Sequence, residues 1–146
     1  GVATHEIAFD AKGAVMVVAG GDGTLRTYDC ATGNNMKTLS HGAAAFAVAM
    51  DPAGKRIASG AADGIVKLWD ATDSRLLATF WSGADDLWIA FAEGFYSASP
   101  GLGEKAAWKG NVQLVADVKV LAPLADPAKV AKACAGEKLP EPVFPK

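Results

Sequence analysis

Ser40-His41-Gly42, the apolar run 43–50, Asp51-Pro52-Ala53-Gly54, Ile57-Ala58-Ser59-Gly60, Asp63-Gly64 and Val66-Lys67-Leu68-Trp69-Asp70 form one stretch. In it a histidine, a serine, an aspartate and a tryptophan stand 18, 4 and 6 residues apart. The runs between them are short and apolar or β-branched, and glycine, aspartate or proline bounds each one, which is the pattern of strands joined by tight turns. The stretch recurs. Asp10-Ala11-Lys12-Gly13 lies 41 residues ahead of Asp51-Pro52-Ala53-Gly54, and at the same offset Asp22-Gly23 precedes Asp63-Gly64 and Tyr28-Asp29 precedes Trp69-Asp70. A fixed period of about forty residues marks a repeat architecture, in which no unit buries its apolar faces alone. A third, looser copy runs from Leu87 to Trp108 and includes Glu93-Gly94-Phe95-Tyr96-Ser97-Ala98-Ser99.

Strand patterning places twelve strands: 4–9, 14–19, 24–28 and 35–39 in the first copy, 44–50, 56–59, 66–69 and 76–79 in the second, and 87–91, 95–98, 105–108 and 112–118 in the third. The runs 14–19 and 44–50 are apolar at consecutive positions, so both of their faces are expected to be covered. A buried helix over 43–50 is disfavoured, because the segment is short and lies between His41-Gly42 and Asp51-Pro52.

The spacing of His41, Ser59, Asp63 and Trp69 resembles one complete repeat of the WD-repeat β-propeller family. That resemblance implies an all-β fold of three four-stranded antiparallel blades (1–41, 42–82 and 83–120) forming part of a ring. It also implies that the four side chains form a structural tetrad, bonded to one another inside one blade. The first copy departs from the pattern, with Tyr28 in place of the tryptophan and Val18 in place of the serine. In the third, Ser82 occupies the histidine position and no aspartate precedes Lys105, so order there is expected from Trp88, Phe91, Phe95, Tyr96 and Trp108. The segment 94–100, Trp108 and residues 127–142 look like the C-terminal blades of certain large bacterial WD-repeat proteins, in which a caspase-like or c-type cytochrome module often precedes the propeller.

Rings of this kind close with about four to eight blades, and three blades leave two apolar faces open. The expected partner is therefore a protein that completes the ring, either a four-blade segment of the same precursor or further copies of this chain. From residue 121 the composition shifts, since five of the seven prolines lie beyond it. Asp126-Pro127 ahead of 128–135 and Gly136 reads as a capped short helix over 127–135 within a C-terminal extension, 121–146. Its packed face is expected to carry Pro127, Val130, Ala131 and Cys134.

Bulk properties narrow the function. The 146 residues carry a formal net charge of -2, from 14 basic and 16 acidic side chains, and 51% are hydrophobic. This composition argues for a folded domain and against a nucleic-acid-binding face. No apolar run approaches the length of a membrane span, so no direct membrane insertion is expected of a chain read as soluble, cytoplasmic or periplasmic. Cys30 and Cys134 are too few and too far apart for a disulfide framework or a metal knuckle. No cofactor or metal is implied.

Ser59, His41 and Asp63 could suggest a hydrolytic triad, but a triad is defined by geometry, and internal bonding is the expected role. Gly101-Leu102-Gly103-Glu104-Lys105-Ala106 matches a dinucleotide fingerprint without its βαβ context and is read as a turn. Asp85-Asp86 lacks a patterned third oxygen ligand and reads as a solvated loop. His5 is read as surface or pore-facing. The chain is thus expected to be a non-catalytic interaction scaffold or accessory subunit, with Trp81, Asp85, Asp86, Leu139, Pro140 and Phe144 as candidate partner contacts. The alternative from another class is the non-catalytic C-terminal part of a multidomain enzyme or c-type cytochrome electron carrier.

Overall fold

A computed structural model describes residues 1–84, 87–99 and 124–141. The chain divides into two compact units, Gly1–Thr79 and Phe80–Lys146.

In the first unit, β1 (Thr4–Phe9), β2 (Val15–Gly20), β3 (Thr24–Asp29) and β4 (Asn35–Ser40) form an antiparallel meander in that order. A second meander follows with β5 (Ala45–Met50), β6 (Arg56–Ala61), β7 (Ile65–Asp70) and β8 (Leu76–Ser82), the last running past the unit boundary. The turns explain why the two copies agree. Asp10 Oδ1 accepts hydrogen bonds from the Ala14 and Val15 amides at 2.7 and 3.1 Å, and 41 residues on Asp51 Oδ1 accepts from Lys55 and Arg56 at 2.6 and 3.1 Å. Gly13 and Gly54 complete these turns at φ of 66° and 69°, a conformation that only glycine adopts freely.

Register repeats as faithfully as the turns. Met16 pairs with Tyr28 and Val18 with Arg26, while Ile57 pairs with Trp69 and Ser59 with Lys67. One irregularity repeats too, since the β1–β2 ladder slips between Thr4 and Glu6 and the β5–β6 ladder between Ala45 and Ala47. Each slip leaves one extra residue, His5 in β1 and Phe46 in β5, and the two rings touch with centroids 4.7 Å apart. A bulge kept in register over two copies behaves as a built feature and not as a defect.

The core of this unit lies between the two sheets. Val17, Ala19, Leu25 and Leu39 from the first meander meet Ala45, Val48, Ile57 and Trp69 from the second, with Ala8, Met50 and Ala71 at the margin. Alternation then decides what each remaining face carries. On the first sheet Ile7, Phe9, Met16, Val18, Arg26 and Tyr28 point away from the core, with Ile7 and Phe9 51% and 53% exposed. The expectation that both faces of the apolar strands are covered is therefore corrected: β2 buries Val17 and Ala19 but leaves Met16 and Val18 half-buried, and β5 exposes Phe46, Ala47 and Ala49. Consecutive apolar residues encode two greasy faces, but only a packed neighbour covers them.

In the second unit, β9 (Trp88–Ala92) and β10 (Phe95–Ala98) make a hairpin with Ala92 opposite Phe95. Its two-residue turn, Glu93-Gly94, has φ of 46° and 84°, the sign that a tight hairpin of this hand requires. Phe95 is buried, Phe91 and Tyr96 lie 6.3 Å apart by centroid, and Trp88 is exposed. Helix α1 (Pro127–Cys134) starts at Asp126, whose side chain caps the Lys129 amide at 3.0 Å, and Gly136 follows its end at φ 93°. The helix buries Val130 and Ala133, whereas Ala131 and Pro127 are exposed and Cys134 is half-buried. This corrects the expected helix face, because alanines at 128, 131 and 133 give the pattern no preference for one side. The predicted strands 105–108 and 112–118, Trp108 and the 101–106 match lie outside the described residues.

Candidate functional site

The repeat signature becomes geometry around Ser59. This hydroxyl sits on β6 between His41, in the β4–β5 connection, and Trp69 on β7. Trp69 Nε1 donates to Ser59 Oγ at 2.9 Å, and His41 Nδ1 lies 2.8 Å from the same oxygen. An indole N–H only donates, so Ser59 accepts from Trp69 and its own hydroxyl hydrogen is free to be donated in a hydrogen bond to His41 Nδ1, an acceptor when the imidazole hydrogen is on Nε2. His41 Nε2 points toward Asp63 Oδ1 but stops at 3.8 Å and makes no hydrogen bond of good geometry. The Asp63 carboxylate is instead engaged by the Ile65 amide at 3.0 Å.

His41 and Ser59 are each 1% exposed. Burial pushes the His41 pKa below its ordinary value, the Lys67 ammonium pushes it the same way, and Asp63 opposes both. The imidazole is therefore neutral at pH 7. Its backbone is tied as firmly as its ring, because His41 N donates to the Gly23 carbonyl at 2.8 Å and Lys67 Nζ donates to the His41 carbonyl at 2.6 Å. Ser59 accepts from tryptophan and lies fully buried, so its hydroxyl is not presented to a substrate carbonyl. The arrangement lacks what acyl transfer needs.

A second set of contacts joins the two sheets of the first unit. Glu6 Oε2 accepts from the Val48 amide at 2.7 Å, Ala11 N donates to the Pro52 carbonyl at 3.1 Å, and Lys37 Nζ donates to the Ala71 carbonyl at 2.7 Å and to the Thr72 carbonyl. Sequence reasoning missed Glu6 and Lys37 as contacts, because a single charge in a strand carries no spacing signal. At the far side of β5–β7 a shallow cavity of about 320 Å³ lies over Ala49, Ala58 and Leu68, rimmed by Met50, Asp51 and Arg56.

The remaining candidates scatter. Trp81 is half-buried in β8, and its ring lies where a side chain at Gly83 would stand. Leu139 is half-buried with its amide on Glu93 Oε2 at 2.6 Å, while Pro140 is exposed. Asp85, Asp86 and Phe144 lie outside the described residues. His5 is exposed at the bulge, and Cys30 is an exposed free thiol. Among the described residues no group of three metal-ligating side chains comes together, and no helix is long and apolar enough to cross a membrane.

Comparison with known proteins agrees with this geometry. Residues 33–70, which span β4 to β7 and hold His41, Ser59, Asp63 and Trp69, match the family described as WD domain, G-beta repeat. THO complex subunit 3 of Arabidopsis thaliana is 35% identical over 77 residues, covering 52% of this chain and 24% of that protein. WD repeat-containing protein AAC3 of Dictyostelium discoideum is 32% identical over 82 residues, covering 52% of this chain and 17% of that protein. The chain thus spans a quarter or less of the curated relatives it matches. Both are eukaryotic, so the expected bacterial origin finds no support in them. The solved structures of U3-55K and of the RRP9 WD40 repeats each superpose with a TM-score of 0.53 at 17% identity, covering 59% of this chain and 28% of theirs, which is a likeness of fold.

Proposed function

We propose that this chain is a non-catalytic β-propeller segment that works as an interaction scaffold, with other polypeptide covering its open sheet faces. One observation carries the reading. Ile7, Phe9, Met16 and Val18 stand at the positions that Val48, Met50, Ile57 and Ser59 hold 41 residues later, yet the second set lines the core between the sheets while Ile7 and Phe9 are half exposed. The first sheet is built for a neighbour on that side. Full burial of a large apolar side chain stabilises by about 1.5–3 kcal/mol relative to exposure, so covering this face is a substantial driving force for association.

The relatives support a scaffold over an enzyme, since one is by name a subunit of a complex. In the structural tetrad of this reading, His41, Ser59 and Trp69 are the bonded members that tie β6 and β7 to the β4–β5 connection, and Asp63 faces His41 at 3.8 Å. The occupant of the open face is a repeat-type sheet, whether from a docked multi-blade segment or from further copies. Sedimentation velocity and native mass measurement test this directly, with self-association or complex formation expected. A chain that stays a dispersed, stable monomer through the micromolar range would overturn the proposal.

A further inference from the structure

The contacts that join the two sheets of the first unit specify what the missing neighbour must present. Because the first three strands of the two sheets share register residue for residue and the sequence offset of 41 continues beyond them, each group on the second sheet that receives a contact has a counterpart 41 residues earlier on the first. The Val48 amide, which takes the Glu6 carboxylate, corresponds to Ile7. The Pro52 carbonyl, which takes the Ala11 amide, corresponds to Ala11. The Ala71 and Thr72 carbonyls, which take the Lys37 ammonium, correspond to Cys30 and Ala31, and the Phe46 ring, which meets His5, corresponds to His5 itself. β1 and β5 are each the first strand of their sheet, with one edge unpaired. The Val48 amide points off that edge, and so does the Ile7 amide at the same register position.

We infer that the open face of β1–β4 takes a repeat-type sheet whose first strand carries an acidic side chain aimed at the Ile7 amide and whose last strand carries a lysine or arginine aimed at the Cys30 and Ala31 carbonyls. This rests on the scaffold reading above and narrows it. A second copy of this chain meets that description only through its own β1–β4 sheet, whose Glu6 and Lys37 are already engaged by Val48, Ala71 and Thr72 of the same copy. Where Glu6 stands in β1, β5 has Ala47, and where Lys37 stands in β4, β8 has Ala78; β9, Trp88–Ala92, carries no acidic residue. The occupant is therefore a distinct sheet, selected by charge at two places and by apolar contact with Ile7, Phe9, Met16 and Val18 between them.

The test places a photo-crosslinking amino acid at Phe9 of the full chain, expressed in the cells it comes from, and identifies the crosslinked peptide by mass. The expected product is a strand of repeat-type sequence bearing Asp or Glu. Replacing that acid by alanine should weaken the complex about tenfold, as loss of a charge-assisted hydrogen bond does, and should return Ile7 amide exchange to its rate in the free chain. A crosslinked repeat strand without an acid, a crosslink to a second copy, or an alanine variant that leaves Ile7 exchange slowed each overturns this inference and leaves the scaffold reading standing. No crosslink, or one to a segment of another fold, overturns both.

Discussion

The β1–β4 and β5–β8 meanders share turns, register and bulge, yet they are held by different side chains. In the second, Trp69, Ser59 and His41 form a buried chain of hydrogen bonds. In the first, the tryptophan and serine positions hold Tyr28 and Val18, and Asp22, the counterpart of Asp63, bonds Arg26 at 2.6 Å and the Thr24 hydroxyl at 2.7 Å in the open. Arg26 and Thr24 together hold the Asp22 carboxyl well below the usual carboxylate range. Since the first three strands pair in the same register in both, the buried network does not set that register. Turn chemistry and the bulge do, and the network adds stability to a register already chosen.

That division can be broken in order of expected effect. Ile57→Ala removes a fully buried side chain from between the sheets and should cost about 2–5 kcal/mol in denaturant unfolding, whereas Met16→Ala, its half-buried counterpart, should cost about 1 kcal/mol or less. Equal losses would mean that the first sheet's open face is covered even in the free chain. Ser59→Ala leaves the Trp69 N–H and His41 Nδ1 buried without a partner and should cost about 2–4 kcal/mol, with Val18→Ala far milder. Combined with Trp69→Phe, the serine variant should show a coupling of about 0.5–3 kcal/mol. Additive losses would show that the hydrogen bond itself contributes nothing.

The pH response should sharpen the same contrast. His41 is neutral when folded because burial lowers its pKa, so the unfolded chain binds a proton more readily. Stability should be full above the ordinary histidine value of about 6.5 and should decline as pH falls toward the lowered folded value. His41→Gln should flatten that decline, measured by thermal unfolding between pH 7.5 and 5, and an unchanged slope would assign the response to another group. Smallest of all, Asp22→Asn should leave the melting temperature within measurement scatter, because its ion pair is solvated and screened. A clear drop there would mean that the first sheet depends on charge as the second depends on its buried network.

Much of this was legible because the repeat offset of 41 is rigid. Aspartate-containing turns at 10 and 51, and glycines at 13 and 54, announce themselves locally, and they fix which residues face each other. The bulge at His5 and Phe46 was not legible, since nothing in either residue type marks an extra position. Nor was the Glu6 contact with Val48, whose partners are 42 residues apart and on different sheets. Asp63 reads in sequence as the natural partner of His41, but the Ile65 amide competes for its carboxylate and leaves the pair at 3.8 Å. The helix face failed for a plainer reason: alanine sits equally well inside and out.

The open face of the first sheet sets Ile7 and Phe9, each about half exposed, beside Met16 and Val18. Grease of that extent attracts other grease without sorting it, whereas the two charge contacts admit only a matching sheet. Until that sheet arrives the surface is a solubility hazard. Concentrated preparations of the bare chain are accordingly expected to turn cloudy by indiscriminate clumping, and co-expression with the matching sheet is expected to keep them clear.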